Sequence, residues 1–123
     1  VSYATVPEGD HIDKLHKMHD AGVNFTTGLD MGMPYGTHDR PAANAWAFSE
    51  TLGWPNWKAI HANTLGTATA VRLSAEIGSL DVGKNADMAA FIGNPAESIR
   101  DMDQASTVVQ AGRLVKLNGA ALV

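Results

Sequence analysis

The chain contains no cysteine, so a disulfide and a thiolate metal site are both excluded among its 123 residues. It lacks an apolar run near the ~20 residues that cross a bilayer, and it has no block of basic residues. With 9 basic and 13 acidic side chains, its formal net charge is -4. We therefore expect neither a nucleic acid nor a membrane as partner. No signal peptide is visible, which predicts a cytoplasmic location, but because the first residue is Val1 we expect the natural start to lie upstream.

The segment 28–32 (GLDMG) places one acidic residue between glycines, directly after the apolar-rich run 23–27. That run predicts a short buried strand, so Asp30 would lie at its carboxyl end, where parallel α/β folds place their chemistry. A carboxylate at such a position can bind a metal ion or take a proton from water. The alternative is a structural role, in which Asp30 caps a loop or pairs with Arg40.

Helical spacing predicts the elements around this strand. A helix over 10–20 ends at Gly22, and with the strand it forms half of a βαβ unit. Further helices are predicted over about 41–52, 54–62 and 63–73, the last of them capped by Asn63 or Thr64. The loop 31–40 is rich in glycine and proline and follows a strand end, which is typical of a binding site.

After residue 75 the turn signals come at short intervals and indicate a β-rich part. Strands are predicted over 88–92, 107–110 and 113–117, and the last two form a hairpin through Ala111-Gly112. A helical turn or loop over 95–102 crosses between strands. One parallel strand cannot satisfy its own backbone, and a small sheet with an open edge invites a partner. We therefore expect a fragment, or a chain whose missing strands come from another chain.

Three stretches together resemble the C-terminal part of the metal-dependent amidohydrolase superfamily, closest to its imidazolonepropionase, prolidase and cyclic-amide hydrolase group. They are 20–32 (DAGVNFTTGLDMG), 61–73 (HANTLGTATAVRL), and the β-rich part from 77–88 (IGSLDVGKNADM) through 109–115 (VQAGRLV). The resemblance covers roughly residues 10–117. The Gly-Lys-x-Ala-Asp run, at this distance from a final Gly-Arg-hydrophobic strand, is its most specific element.

The resemblance implies an α/β fold in which residues 1–75 form the last βα portion of a (β/α)8 TIM-type barrel. Residues 76–123 would then supply strands of a small β-sandwich domain. It also implies that Asp30 binds a divalent metal, commonly one or two zinc ions, and shuttles the proton of the attacking water. The substrate would be a small amide or peptide-like molecule. The histidines of the earlier strands are not in this sequence, which has no His-x-His pair, so we expect this piece to be inactive without the remainder of the barrel.

Several other side chains are candidates for a site but have structural alternatives. His38 and Tyr35, with Met33, would contact substrate from the loop 31–40, although they equally suit a surface loop and the rim of a core. His16 and His19 lie three apart on a helix, which is not the usual ligand spacing, so a solvated face is predicted.

The remaining conspicuous residues are predicted to be structural. Gly83, Lys84 and Asp87 suit a turn before a strand, since no phosphate-binding Gly-Lys-Ser/Thr motif is present. His61 is predicted to cap or pack near the end of its helix. The three tryptophans are predicted to anchor the core; they are Trp46, Trp54 and Trp57. The alternative function is that of a non-catalytic α/β assembly module that completes a partner chain's sheet. Homo-oligomers are possible under either interpretation.

Overall fold

The first described element is a helix that ends as the sequence predicts. The computed structural model describes residues 10–28, 32, 38 and 40–122. Helix α1 spans Asp10–Asp20. Its end is a Schellman motif, because the Gly22 amide donates to the His19 carbonyl at 2.9 Å and the Val23 amide donates to Met18 at 3.0 Å. Gly22 has φ 81, a conformation that glycine adopts without strain. The predicted stop at Gly22 is confirmed.

The second helix begins as α2 (Ala43–Trp46) and widens into a π-helical turn (Ala47–Thr51). It ends at Leu52 and Gly53, as predicted from the glycine. No helix among the described residues is long and apolar enough to cross a membrane.

The third helix is continuous where two helices were predicted. It runs through α3 (Asn56–His61), a π-helical turn (Ala62–Gly66) and α4 (Thr67–Ala70). The predicted break at residue 63 or 64 is wrong because the Thr64 hydroxyl donates to the Ile60 carbonyl at 2.9 Å instead of capping a new helix. The helix also ends three residues before the predicted Leu73.

Residues 23–28 do not form the strand that was predicted over 23–27. Among the described residues they have no strand partner, and the sheet that is described contains only strands from the second part of the chain. A strand exists only through its paired neighbours, so this apolar pattern alone does not make one. The segment lies instead along the helices, with Phe25 against the rings of Phe48 and Trp54. The (β/α)8 barrel stays a prediction.

The second part forms a four-stranded antiparallel sheet in the order β1-β2-β3-β4. The strands are β1 (Met88–Phe91), β2 (Ala105–Gln110), β3 (Arg113–Leu117) and β4 (Ala120–Ala121), and a 3-10 helix (Ile99–Asp103) lies between β1 and β2. The predicted hairpin is confirmed, with positive φ at Ala111 (48) and Gly112 (76), the pattern of a type I′ turn. Strand β4 was not predicted. The described residues form one sheet, so the two-sheet sandwich also stays a prediction.

The core lies in the helical part. Its buried members are mostly alanine and aromatic residues: Ala42, Ala45, Trp46, Phe48, Leu52, Trp54, Ala59, Ala62 and Ile99. Trp46 and Trp54 are core residues as predicted. Trp57 is 66% exposed, so the prediction that it anchors the core is wrong. Trp57 lies one residue past the start of α3, on the side of the helix that faces away from Ala59. In the described strands no residue is buried.

Candidate functional site

A cleft of about 530 Å³ lies between the end of α1, residues 22–26 and the long helix from α3 to α4. Its floor is aromatic. The buried Trp54 ring packs at 4.8 Å from Phe48 and meets the edge of Phe25 at 5.7 Å. These contacts fix the indole between the helices and the segment 23–28, so the cleft has a preformed apolar base.

One wall of the cleft is a basic pair above that indole. Lys58 Nζ lies 4.5 Å from the centre of the Trp54 ring and contacts His19 Nε2. On its other side, His19 Nδ1 lies 3.4 Å from Asp20 Oδ1. The cluster ties α1 to α3 and provides a cation-π contact.

The position of His19 corrects the prediction of a solvated face. It is half-buried and packs 4.9 Å from the Trp54 ring. A signal was present in the sequence, because Ile12, Leu15 and His19 follow the i, i+3, i+7 spacing of one helix face. Ile12 and Leu15 both pack on the core, and His19 continues their stripe. No comparable sequence signal identifies Lys58.

The structure tests few of the predicted site residues. Asp30 and Tyr35, together with Met33, lie outside the described residues. His38 is described and exposed. In the described part of the chain, no three His, Cys, Asp or Glu side chains are placed to hold a metal ion. The described residues therefore do not form a complete metal centre by themselves.

The segment that leads to Asp30 is anchored by a threonine of the long helix. The Thr27 amide donates to Thr67 Oγ1 at 3.1 Å, and the Thr27 and Thr67 hydroxyl oxygens are 3.0 Å apart. Thr27 precedes Asp30 by three residues in the sequence. Sequence reasoning did not single out either threonine.

Lys84 and Asp87 make the structural contacts that their turn position predicts. Lys84 Nζ donates to Ser79 Oγ at 2.5 Å and lies 3.5 Å from Asp81 Oδ2. Hydrogen bonding from Ser79, followed by that from Lys84, lowers the pKa of Asp81. Asp87 Oδ1 accepts the Ala111 amide at 2.6 Å, which fixes the β2–β3 turn against the start of β1. These contacts hold turns together, which is the structural role that was predicted for Lys84 and Asp87.

An ion pair joins the helical part to the crossing segment. Arg100 Nε donates to Glu50 Oε1 at 2.7 Å and Arg100 Nη2 donates to Oε2 at 2.5 Å. The guanidinium also lies 4.1 Å from the centre of the Trp46 ring. The hydrogen bonds from Arg100 lower the pKa of Glu50 and raise that of Arg100. The fork geometry makes this pair a structural clamp.

Solved structures resemble this chain over most of its length. A protein from Bifidobacterium longum assigned as a prolidase is 28% identical, with a TM-score of 0.81 over 91% of this chain and 28% of its own. An Xaa-Pro dipeptidase with methionine bound in its active site is 32% identical, with a TM-score of 0.74 over 85% of this chain and 25% of its own. Molinate hydrolase is 31% identical, with a TM-score of 0.73 over 92% of this chain and 28% of its own.

The chain thus spans about a quarter of the length of these solved proteins. Comparison with curated proteins gave no match. A sequence model of the amidohydrolase family matches residues 6–115, which include the segment 28–32, the long helix, strands β1 and β2 and the first three residues of β3. Because the match extends over both the helical and the β-rich parts, the chain belongs to the amidohydrolase family.

Proposed function

We propose that the chain is the C-terminal piece of a metal-dependent hydrolase that cleaves amide or other C–N bonds. The observation that carries the proposal is the family match over residues 6–115, within which Asp30 follows an apolar segment docked on the helices. The dipeptidase relative binds methionine in its active site. That finding supports a peptide-like amide as the substrate class here.

Asp30 is the residue that we propose for the chemistry. Asp30 would be one ligand of a metal ion, and we propose that the other ligands come from the remainder of the barrel. A divalent ion of this kind, for which zinc is our proposal, lowers the pKa of a bound water to ~7. The Asp30 carboxylate would take a proton from the attacking water and pass it to the leaving amine.

His38 and Tyr35 are proposed to contact the substrate from the loop 31–40. The exposure of His38 leaves its ring accessible to a ligand. Specificity in such an enzyme would depend on further loops from the remainder of the barrel, which is the partner that we propose for this chain.

The test uses a chimera in which this chain replaces the segment that it matches in the Bifidobacterium longum prolidase. With Zn²⁺ and an Xaa-Pro dipeptide, we expect turnover by the chimera and none by the isolated chain. Asp30→Asn should lower kcat of the chimera by about 10³-fold or more. Asp13→Asn, at an exposed position on α1, is the matched control and should leave kcat unchanged. Turnover by the isolated chain, or full activity of the Asp30→Asn chimera, would contradict the proposal.

The second candidate function is a non-catalytic assembly module that completes a partner's sheet. Two observations favour it. The segment 23–28 has no strand partner among the described residues, and the exposed Ile92 directly follows the edge strand β1. A chain that co-purifies with a longer polypeptide carrying a His-x-His pair would favour the hydrolase over this alternative.

A further inference from the structure

Thr67 makes three hydrogen bonds, two of which join the long helix to the segment 23–28. Its hydroxyl accepts the Thr27 amide at 3.1 Å and lies 3.0 Å from the Thr27 hydroxyl. It also donates to the Ala62 carbonyl at 2.7 Å. All three contacts are partly buried from solvent.

The directions of these hydrogen bonds follow from the number of protons available. A threonine hydroxyl has one proton and two lone pairs. Because the Thr67 proton goes to the carbonyl oxygen of Ala62, which can only accept, the Thr27 hydroxyl must donate to Thr67. Each donor and acceptor position of the Thr67 hydroxyl is then used. Because the hydroxyl has no further capacity for hydrogen bonds, it holds its three partners in one geometry.

The π-helical turn explains why residue 67 has this position. In a π turn the carbonyl of residue i faces residue i+5 rather than i+4. The turn Ala62–Gly66 therefore brings Thr67 opposite the Ala62 carbonyl. The backbone there is tightly packed, because a Cβ on Gly66 would lie 3.2 Å from the His61 carbonyl oxygen. Such turns frequently occur near functional sites.

We propose that Thr67 is a positioning residue for the backbone that leads to Asp30. By holding the Thr27 amide, it fixes the point from which the chain enters the segment 28–32. The functional part of this inference rests on the proposed role of Asp30. Thr67 itself has no part in the chemistry.

The test is amide exchange and ¹⁵N–¹H correlation spectra on the 123-residue chain. Thr67→Val keeps the shape but removes the hydroxyl, and we expect the Thr27 amide to exchange about three- to tenfold faster. The Asp30 amide resonance should shift as well. Thr67→Ser should restore both measurements.

Thr69→Val is the matched control, because the Thr69 hydroxyl donates only within its own helix, to Leu65 at 2.8 Å. It should leave the Thr27 exchange rate and the Asp30 resonance unchanged. Should Thr67→Val accelerate every helical amide and so report a global loss of stability, Thr27→Val provides the second test. It removes only the contact between hydroxyls, and we expect the amide at position 27 to exchange about twofold faster while the helical amides stay protected.

The inference is overturned if Thr67→Val leaves the exchange of the Thr27 amide unchanged, if Thr67→Ser fails to restore it, or if Thr69→Val has the same effect. These outcomes are separate from the proposed function. Exchange effects as expected, together with a fully active Asp30→Asn chimera, would keep Thr67 as the anchor of this segment and remove the hydrolase role of Asp30. The reverse combination would keep the hydrolase role and remove the anchor.

Discussion

At the scale of single residues, Gly93 shows how closely a turn of this chain is packed. Its φ is 95, and a Cβ placed on it would lie 2.2 Å from Asp101 Oδ2. That carboxylate accepts the Asn94 amide at 2.7 Å. Moving the carboxylate away to make room would break this hydrogen bond, so the position requires a residue without a side chain.

We expect Gly93→Ala to lower the free energy of unfolding by about 2 to 3 kcal/mol, from the left-handed backbone and the lost hydrogen bond together. The matched control is Gly119→Ala, where φ is 84 and nothing lies within 4 Å of the added Cβ. Gly119→Ala should lower the free energy of unfolding only through backbone strain, by about 1 to 2 kcal/mol. Urea unfolding of the two variants and the wild type measures the difference. Equal losses at both positions would show that the contact with Asp101 contributes nothing.

Single residues also mark what the sequence could predict of the site. The glycine-flanked acidic pattern predicts a role for Asp30, and that role stays a prediction because Asp30 lies outside the described residues. The helical stripe of Ile12 and Leu15 could have predicted the burial of His19. The hydroxyl of Thr67 could not have been selected, because its role depends on a π turn that no residue type specifies and on a partner 40 positions away.

At the scale of elements, the predictions held where the signal is local. Helix α1 and strand β3 have the predicted bounds, because a glycine C-cap ends α1 and a two-residue turn begins β3. The strand predicted over 23–27 depends on distant partners, and that run has the composition of a strand but no neighbour among the described residues. One local prediction was also wrong, because the helix from α3 to α4 continues through the threonine that was predicted to cap it.

The Glu50–Arg100 clamp connects two elements, the π-helical turn after α2 and the 3-10 helix before β2. Because the pKa of Glu50 is lower in the folded chain, the pair stabilises the fold above the unfolded pKa of about 4.5, and this contribution is lost as the pH falls through the folded pKa. Both side chains are about half exposed, so solvent screening limits the contribution to about 0.5 to 1 kcal/mol.

We therefore expect Glu50→Gln to lower the unfolding free energy by that amount at pH 7, and the difference from the wild type to shrink progressively below about pH 4.5. Glu97→Gln, an exposed residue in the crossing segment, is the control. Thermal unfolding between pH 3 and 7 measures the effect. A Glu50→Gln penalty that is independent of pH would show that packing on Trp46 and not charge holds the clamp.

At the scale of the whole molecule, apolar side chains are exposed on the β-rich part. Leu80 is 78% exposed, Ile92 is 62% exposed, and Val82 is fully exposed. The solved relatives are about four times as long as the part that this chain covers. Exposed apolar patches and open sheet edges are typical of surfaces that another polypeptide covers.

We expect the isolated chain to self-associate through this β-rich part, with a sedimentation coefficient that rises with protein concentration. Ile92→Lys places a charge beside the edge strand β1 and should shift the chain toward the monomer. Trp57→Lys is the control, because Trp57 is similarly exposed but lies on the helical part. A monomer at every concentration, or an equal effect of both variants, would contradict this prediction.

The buried side chains are concentrated in the helical part, and this affects the order in which the two parts of the chain unfold. Between the strands, the 3-10 helix packs against the helical core through the buried Ile99 and the partly buried Met102, while no residue of the described strands belongs to that core. The hairpins therefore have few contacts to lose before they detach, while the helices keep their aromatic centre. Fluctuations that release the strands should be more frequent than complete unfolding, and a protease present in small amounts would cut the β-rich part first and leave a helical remnant.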